Sequence, residues 1–212
     1  MVKPSNNDLG AMYSAIGSAI SNWTRVEIQL YQLFGISLSL TVMQQGGFSG
    51  PSPTATAVLE VIDSFRGKVL MIDAAITEAL YPADDDAVEI LNLWAKESRG
   101  LSSLHGNRSK LAHWTVAQEV RNMVPYRVIL RPPIYSMKPA IGHQGFIESD
   151  VRGWEKSFIE AAHRLSEVVE RLASHQGLQR KFVRQMANQV RIRLPYDPSL
   201  LEFAIHELTS PE

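Results

Sequence analysis

The chain has 212 residues, 45% of them hydrophobic and 20% charged, with a formal net charge of −1 and no cysteine. That is enough for one sizeable domain of ordinary globular composition. Zero cysteines exclude disulfides, thiolate catalysis and thiolate-held metal or iron–sulfur sites, and a near-neutral charge excludes a global pull towards nucleic acid.

The polar start, Met1 to Asn7, carries no leader-like apolar core, and no apolar run is long enough to span a bilayer. A soluble, cytoplasmic protein without membrane contact is therefore expected. Charge is unevenly spread. The first hundred residues carry more acid than base, residues 101–149 reverse this, and Arg180, Lys181, Arg184, Arg191 and Arg193 follow one another with no acid between. Such a run is either a solvated helix face or an anion-facing surface.

A first long helix is predicted from about Asn7 to about Phe34, capped by Ser5, Asn6 or Asn7. Ile16, Ile20, Trp23, Leu30 and Phe34 step by threes and fours, and Glu27 occupies the same stripe. A carboxylate is costly to bury unpaired, so Glu27 requires a cation or donor from another helix. Arg25, two residues away, lies on a different face.

Residues 43–54, rich in glycine, proline and serine, read as a loop inside one domain. A second helix is predicted over about Thr54 to Leu80, where Val58, Ile62, Phe65, Val69, Ile72, Ile76 and Leu80 form a nearly heptad seam. Asp84, Asp85 and Asp86 then place negative charge at the positive end of a third helix, which accounts for the run better than a metal site does. The seam of this helix reads Val88, Leu91, Trp94, Ser98, Leu101, His105, Arg108, Ala112. In its second half His105 and Arg108 thus stand where the pattern reserves apolar side chains. Either the helix leaves the core there or a polar pocket is built inside the bundle. Gly100 and Gly106 each weaken the helix by about 1 kcal/mol relative to Ala, and would allow a close approach of backbone or ligand.

After His113 the period changes. Residues 114–120 and 126–130 predict a small hairpin, followed by an extended loop to about Ile147 punctuated by prolines. Ser149 or Asp150 caps a fourth long helix, with Trp154, Phe158, Ala161, Leu165, Val168 and Leu172 in rhythm. Two weaker helices follow, from about Leu178 and from Asp197-Pro198, and residues 176–212 form a C-terminal extension of a single domain spanning 1–212. The predicted fold is an all-α, up-and-down helical bundle with a small β-hairpin insertion before its fourth long helix.

The chemistry concentrates in Asn107-Arg108-Ser109-Lys110-Leu111-Ala112-His113. A guanidinium offers fixed donors that match phosphate, and an imidazole can carry a proton near neutrality. Together they suffice for RNA cleavage without a metal. His113 would move the proton of the attacking 2′-hydroxyl or the leaving 5′-oxygen, and Arg108 would hold charge on the phosphorus-bound oxygens. Five residues apart on a regular helix, the two would not share a face. Either the helix ends between them or a second chain joins two such corners. The bland alternative makes Arg108 the partner of Glu27, and His113 a helix-end cation.

Arg108 and His113, separated by four residues at the end of a helix, resemble the motif of the HEPN superfamily, and Trp23 and Glu27 upstream fit its organisation. The resemblance covers about residues 10–175. It implies a dimerising helical bundle, often a metal-independent endoribonuclease of toxin–antitoxin, defence or RNA-processing systems, leaving 2′,3′-cyclic phosphate ends. It further implies a homodimer, RNA as substrate, an antitoxin protein as a possible partner, and no metal or cofactor. Arg108 and His113 would be catalytic, with Asn107, Ser109 and Glu27 binding or orienting. The family usually has Asn, Asp or His directly after the arginine; here Ser109 takes that place, with shorter reach and no amide. Some members are non-catalytic interaction modules, which is the second expectation. A phosphate or nucleotide sensor using residues 180–193 is the third.

Overall fold

Helix α1 (Asn6–Ser37) is the spine of the bundle, and α5 (Glu148–Ser174) runs along it as its most extensive neighbour. Between them in sequence come the short α2 (Pro53–Glu60), α3 (Phe65–Ala79) and α4 (Asp85–His113), then a hairpin of β1 (Thr115–Arg121) and β2 (Val124–Arg131). The computed structural model describes residues 6–38, 52–121, 124–133 and 145–175. The predicted Ser5 cap, residues 43–51 of the predicted 43–54 loop, most of the loop before α5 and the whole 176–212 extension, including its basic run, lie outside the described residues. The result is a mostly helical bundle with one antiparallel hairpin ahead of α5, as the periodicity predicts. No helix among the described residues is long and apolar enough to cross a membrane.

The buried face of α1 differs from the predicted stripe. Met12, Ala15, Ala19, Trp23, Val26, Leu30, Leu33 and Phe34 are buried, Ile16 is half-buried, and Ile20 is 37% exposed. Small residues inside the stripe let a neighbouring helix lie close, so Ala15 and Ala19 are fully buried, Ile16 packs in part against the core and Ile20 turns outward. Ser18 donates to Glu155, and Asn22 Nδ2 reaches the same carboxylate at 3.4 Å, which ties α5 to α1 through polar groups as well.

The predicted second helix is broken in two. Ser64 caps α3, its hydroxyl accepting from Gly67 N–H at 3.0 Å, and Ser52 caps α2 in the same way through Ala55 N–H at 3.4 Å. A capping serine offers the backbone a partner that competes with helix continuation. A Cβ at position 67 would come within 2.8 Å of Ile62 and 2.9 Å of Ser64, so the tight corner also needs glycine there. Ala55 and Leu59 are buried on α2, while Val58 is 41% exposed. Of the predicted seam, Ile72, Ile76 and Leu80 are buried and Ile62, Phe65 and Val69 pack half-buried against the core, so only Val58 falls outside it.

Helix α4 starts as expected. Asp84 is the N-cap, accepting from Ala87 N–H at 2.9 Å, and it is also bonded to His175 Nε2 at 3.0 Å, clamping the start of α4 to the end of α5. The buried residues are Ala87, Ile90, Trp94, Leu101 and Leu111, so Val88 and Ala112 of the predicted seam face solvent. Trp94 donates its indole N–H to Asp73 at 2.8 Å. Gly100 and Gly106 have open space where a Cβ would stand, so packing among the described residues requires glycine at neither position.

In the hairpin, Pro125 pairs with Val120 just past a register irregularity at Glu119/Val120, a position where a missing N–H is tolerated. Phe146 bridges to Leu130 with hydrogen bonds of 2.8 and 2.9 Å, and Gly145, at φ +77°, makes the turn into it. Helix α5 begins after Ile147, not after Ser149 or Asp150. Asp150 instead reaches back to accept from Ile147 N–H at 2.9 Å. Phe158, Ala161, Leu165, Val168 and Leu172 are buried as the rhythm predicts, joined by Val151, Ala162 and Val169.

Candidate functional site at the end of the third long helix

Arg108 and His113 both lie on α4, and α4 stays helical through His113. Trp114 is its C-cap, donating its N–H to the Lys110 carbonyl at 2.9 Å. The helix therefore does not end between the two residues, and a regular helix separates them by about 140° of rotation and about 7.5 Å of rise. Arg108 is half-buried and lines a crevice between α1, α3 and α4; His113 is exposed and lies outside it. A single chain does not bring the guanidinium and this imidazole onto one face.

The crevice is what the polar intrusions in the α1 and α4 stripes build. Glu27 and Tyr31 enter it from α1, Phe65 and Lys68 from α3, and His105 and Arg108 from α4, around a volume of about 130 Å³. His105 lies flat against Phe65, with ring centroids 4.3 Å apart and planes 3° from parallel. Trp23 closes on both rings at 5.5 and 5.9 Å. Its own indole N–H is buried without an acceptor among the described residues. The sequence marked Glu27, His105 and Arg108; Tyr31 and Lys68 escaped notice. Their signal was helical spacing, since Tyr31 follows Glu27 by four residues and Lys68 follows Phe65 by three.

Two electrostatic units share this space. At the rim, Tyr31 donates its hydroxyl proton to Glu60, and Lys68 Nζ lies 3.2 Å from the same carboxylate and 3.4 Å from the Tyr31 oxygen. Burial first, then the hydrogen bond to Glu60 and the nearby carboxylate charges, push the Tyr31 phenol well above its usual range. The Glu60 carboxyl is held low by the bonds from Tyr31 and Lys68. Deeper in, burial first and the Arg108 charge second hold the His105 imidazole below its ordinary 6.5, while Glu27 pulls it back up. Neither Glu27 nor Arg108 forms an ion pair with the other or with any group among the described residues. They line the same crevice without closing on each other, so the partner expected for Glu27 does not bond to it among the described residues; half-buried rather than buried, the carboxylate keeps contact with solvent.

This opposition is measurable. Removing Arg108 as Arg108→Ala is expected to raise the His105 pKa, and Glu27→Gln to lower it, in an NMR titration of the imidazole Cε1 proton. Shifts in the same direction, or none, would mean that the three groups do not share one field. The sign for stability follows. A histidine whose folded pKa is depressed favours folding fully above its unfolded value near 6.5, and that contribution is lost as pH falls from there towards the folded value.

Of the other candidate residues, Asn107 accepts a hydrogen bond from Lys110 Nζ at 3.1 Å, and Lys110 in turn lies over the Phe146 and Trp154 rings at 5.0 and 5.3 Å. Asn107 thereby faces the hairpin side of α4. Ser109 is half-buried with no side-chain hydrogen bond among the described residues. Trp114 stacks on Phe146 at 5.5 Å, so it packs the hairpin against α5. Asp84 serves as a cap and a clamp, and no group of three or more His, Asp or Glu side chains is placed to hold a metal ion among the described residues. Comparison with known proteins finds no family model, no curated protein and no solved structure that matches this chain.

Proposed function

We propose that this chain is a HEPN-like endoribonuclease that works as a homodimer, cleaving RNA without a metal, with Arg108 of one copy completed by His113 of the other. The observation that carries this reading is the condition of the two groups. Arg108 is a half-buried guanidinium facing an open crevice with no ion pair among the described residues, and His113 is an exposed imidazole one turn and a half further along the same helix. A purely structural arginine at this depth would be closed on a carboxylate, and Glu27 is at hand to do it. In the dimer, the guanidinium would stabilise the charge on the phosphorus-bound oxygens, and the imidazole would move the proton of the 2′-hydroxyl.

A second reading, a non-catalytic helical interaction module, is favoured by a different observation: Arg108 and His113 point to different faces, and Arg108 shares its crevice with Glu27 and His105. The test separates the two. Purified protein in EDTA is incubated with mixed RNAs, and fragments ending in 2′,3′-cyclic phosphate are expected. Their absence under all conditions leaves the interaction module.

A further inference from the structure

The proposed cleavage moves two protons, and the imidazole of the other copy accounts for one of them. His113 takes the proton of the 2′-hydroxyl, which leaves the departing 5′-oxygen without a donor. His105 is placed to supply it. It precedes Arg108 by three residues on an unbroken helix, so the two side chains rise from one face, and both line the same crevice. The His105 ring stacks on Phe65 at 4.3 Å, and neither of its nitrogens has a hydrogen-bond partner among the described residues. The buried, unpartnered side-chain nitrogens and oxygens among those residues come down to the Trp23 indole N–H. Both nitrogens of the half-buried imidazole are therefore open to solvent, and the crevice is the open space that His105 lines.

We infer that His105 is the general acid of the proposed cleavage, giving its proton to the 5′-oxygen as the bond from phosphorus to that oxygen breaks. The inference rests on the RNA-cleaving reading and adds a second imidazole to it. The 2′-oxygen passes its proton to His113 of the other copy and bonds to phosphorus, the bond from phosphorus to the 5′-oxygen breaks, and the His105 proton goes to that oxygen. The products are a 2′,3′-cyclic phosphate and a 5′-hydroxyl, and solvent resets the two histidines. The substrate itself charges the acid. In the free protein, burial first and the Arg108 charge second hold the imidazole below its ordinary 6.5, so it is mostly neutral at pH 7. A phosphodiester held by Arg108 offsets that charge and sets a negative one beside the ring, and both changes favour the imidazolium. The other charged or titratable groups about the crevice are Glu27 and Tyr31 from α1, Asp63 ahead of α3 and Lys68 on it, with Glu60 of α2 at the rim. Tyr31, Glu60 and Lys68 are bonded to one another, while Glu27 favours the charged ring. Arg108 is thus the opposing charge that substrate would neutralise.

The experiment compares two substrates on the full-length protein: RNA pentamers of mixed sequence, and the same pool with sulfur in place of the central bridging 5′-oxygen. A thiolate departs without a proton, so the sulfur pool needs no acid. His105→Phe keeps a flat ring against Phe65, and His105→Ala removes the ring altogether. On RNA, both variants are expected to lose about 10²-fold or more of the wild-type rate. On the sulfur pool, both are expected to cut at close to the wild-type rate, whereas His113→Ala stays slow on each. Equal losses on the two pools by His105→Phe, or full activity of that variant on RNA, overturn the assignment.

A second measurement leaves the protein unaltered. The His105 Cε1 proton is titrated by NMR in wild-type protein, free and saturated with an uncleavable 2′-deoxy pentamer, and the bound strand is expected to make the ring hold its proton about tenfold more tightly or better. An unchanged or looser hold overturns the inference, whatever the variants do. The two readings fail separately. If wild-type protein cuts RNA and the His105 variants cut it equally well, this inference falls and the proposed function stands; if wild-type protein cuts neither pool, the proposed function falls and the acid role falls with it.

Discussion

Arg108→Ala and His113→Ala proteins are each expected to be inactive on RNA, and an equimolar mixture allowed to exchange subunits is expected to recover about one quarter of wild-type activity, as follows from two-fold symmetry with sites shared across the interface. The reasoning starts from α4. Because the helix runs unbroken from Asp85 to His113, the two groups of one chain stand on different faces, and a joint site must draw them from two chains. In a mixed dimer, one composite site lacks both groups and the other lacks neither. Random exchange makes about half of the dimers mixed, each with one intact site of two. A site held within one chain would recover nothing, since every chain in the mixture lacks one group. The single variants set the floor. Loss of a proton-transfer group costs about 10²–10⁴ in rate and loss of a charge-stabilising donor about 10²–10³, so a quarter of full activity stands far above background. Recovery at background level, with both single variants dead, would place the chemistry inside one protomer and contradict the continuous helix. Full activity in either single variant would remove the nuclease altogether.

The bundle was legible because its signals are periodic. Trp94, Leu101, Phe158, Leu165 and Leu172 fall on their predicted faces, and the shift to strand after His113 showed as a change of period. What escaped was decided by contacts between elements. Ala15 and Ala19 take the deepest positions while Ile16 packs only in part and Ile20 turns outward, because how closely two helices approach is a property of both. The break between α2 and α3 follows from Ser64 and Gly67, whose capping role cannot be separated from helix continuation when the surrounding residues keep the heptad step. The candidate site shows the same division. Glu27, His105 and Arg108 announced themselves as polar residues in apolar stripes, and the structure gathers all three in one crevice. The resemblance pointed instead to His113, and the crevice does not include it. Spacing in sequence can pair residues along a helix, but which face meets which neighbour is settled only by the tertiary arrangement.

The stability of the same region depends on Phe158, and Phe158→Ala is expected to destabilise the protein by about 3–5 kcal/mol in urea denaturation, the usual cost of emptying a buried aromatic site. Phe158 is fully buried, and its ring meets Trp23 edge-on at a centroid distance of 5.3 Å. Trp23 also touches the Phe65 and His105 rings, so one side chain links the α1–α5 interface to the wall of the crevice. Removing the Phe158 ring leaves Trp23 without its support on the α5 side, and little nearby can collapse into the gap, since Ala161 and Ala162 are small and fixed on the same helix. Phe158→Leu keeps most of the volume and should cost less than about 1.5 kcal/mol. Ile20→Ala is the control on α1. The periodic stripe makes Ile20 a core residue, but at 37% exposure its truncation should change stability by no more than about 0.5 kcal/mol. If Ile20→Ala proves as costly as Phe158→Ala, α1 is rotated from the orientation described, and the crevice that depends on that rotation for Glu27 is misplaced with it. If the two differ as expected, α1 carries Glu27 towards α4, and the meeting of that carboxylate with His105 and Arg108 follows from the packing of the helices themselves.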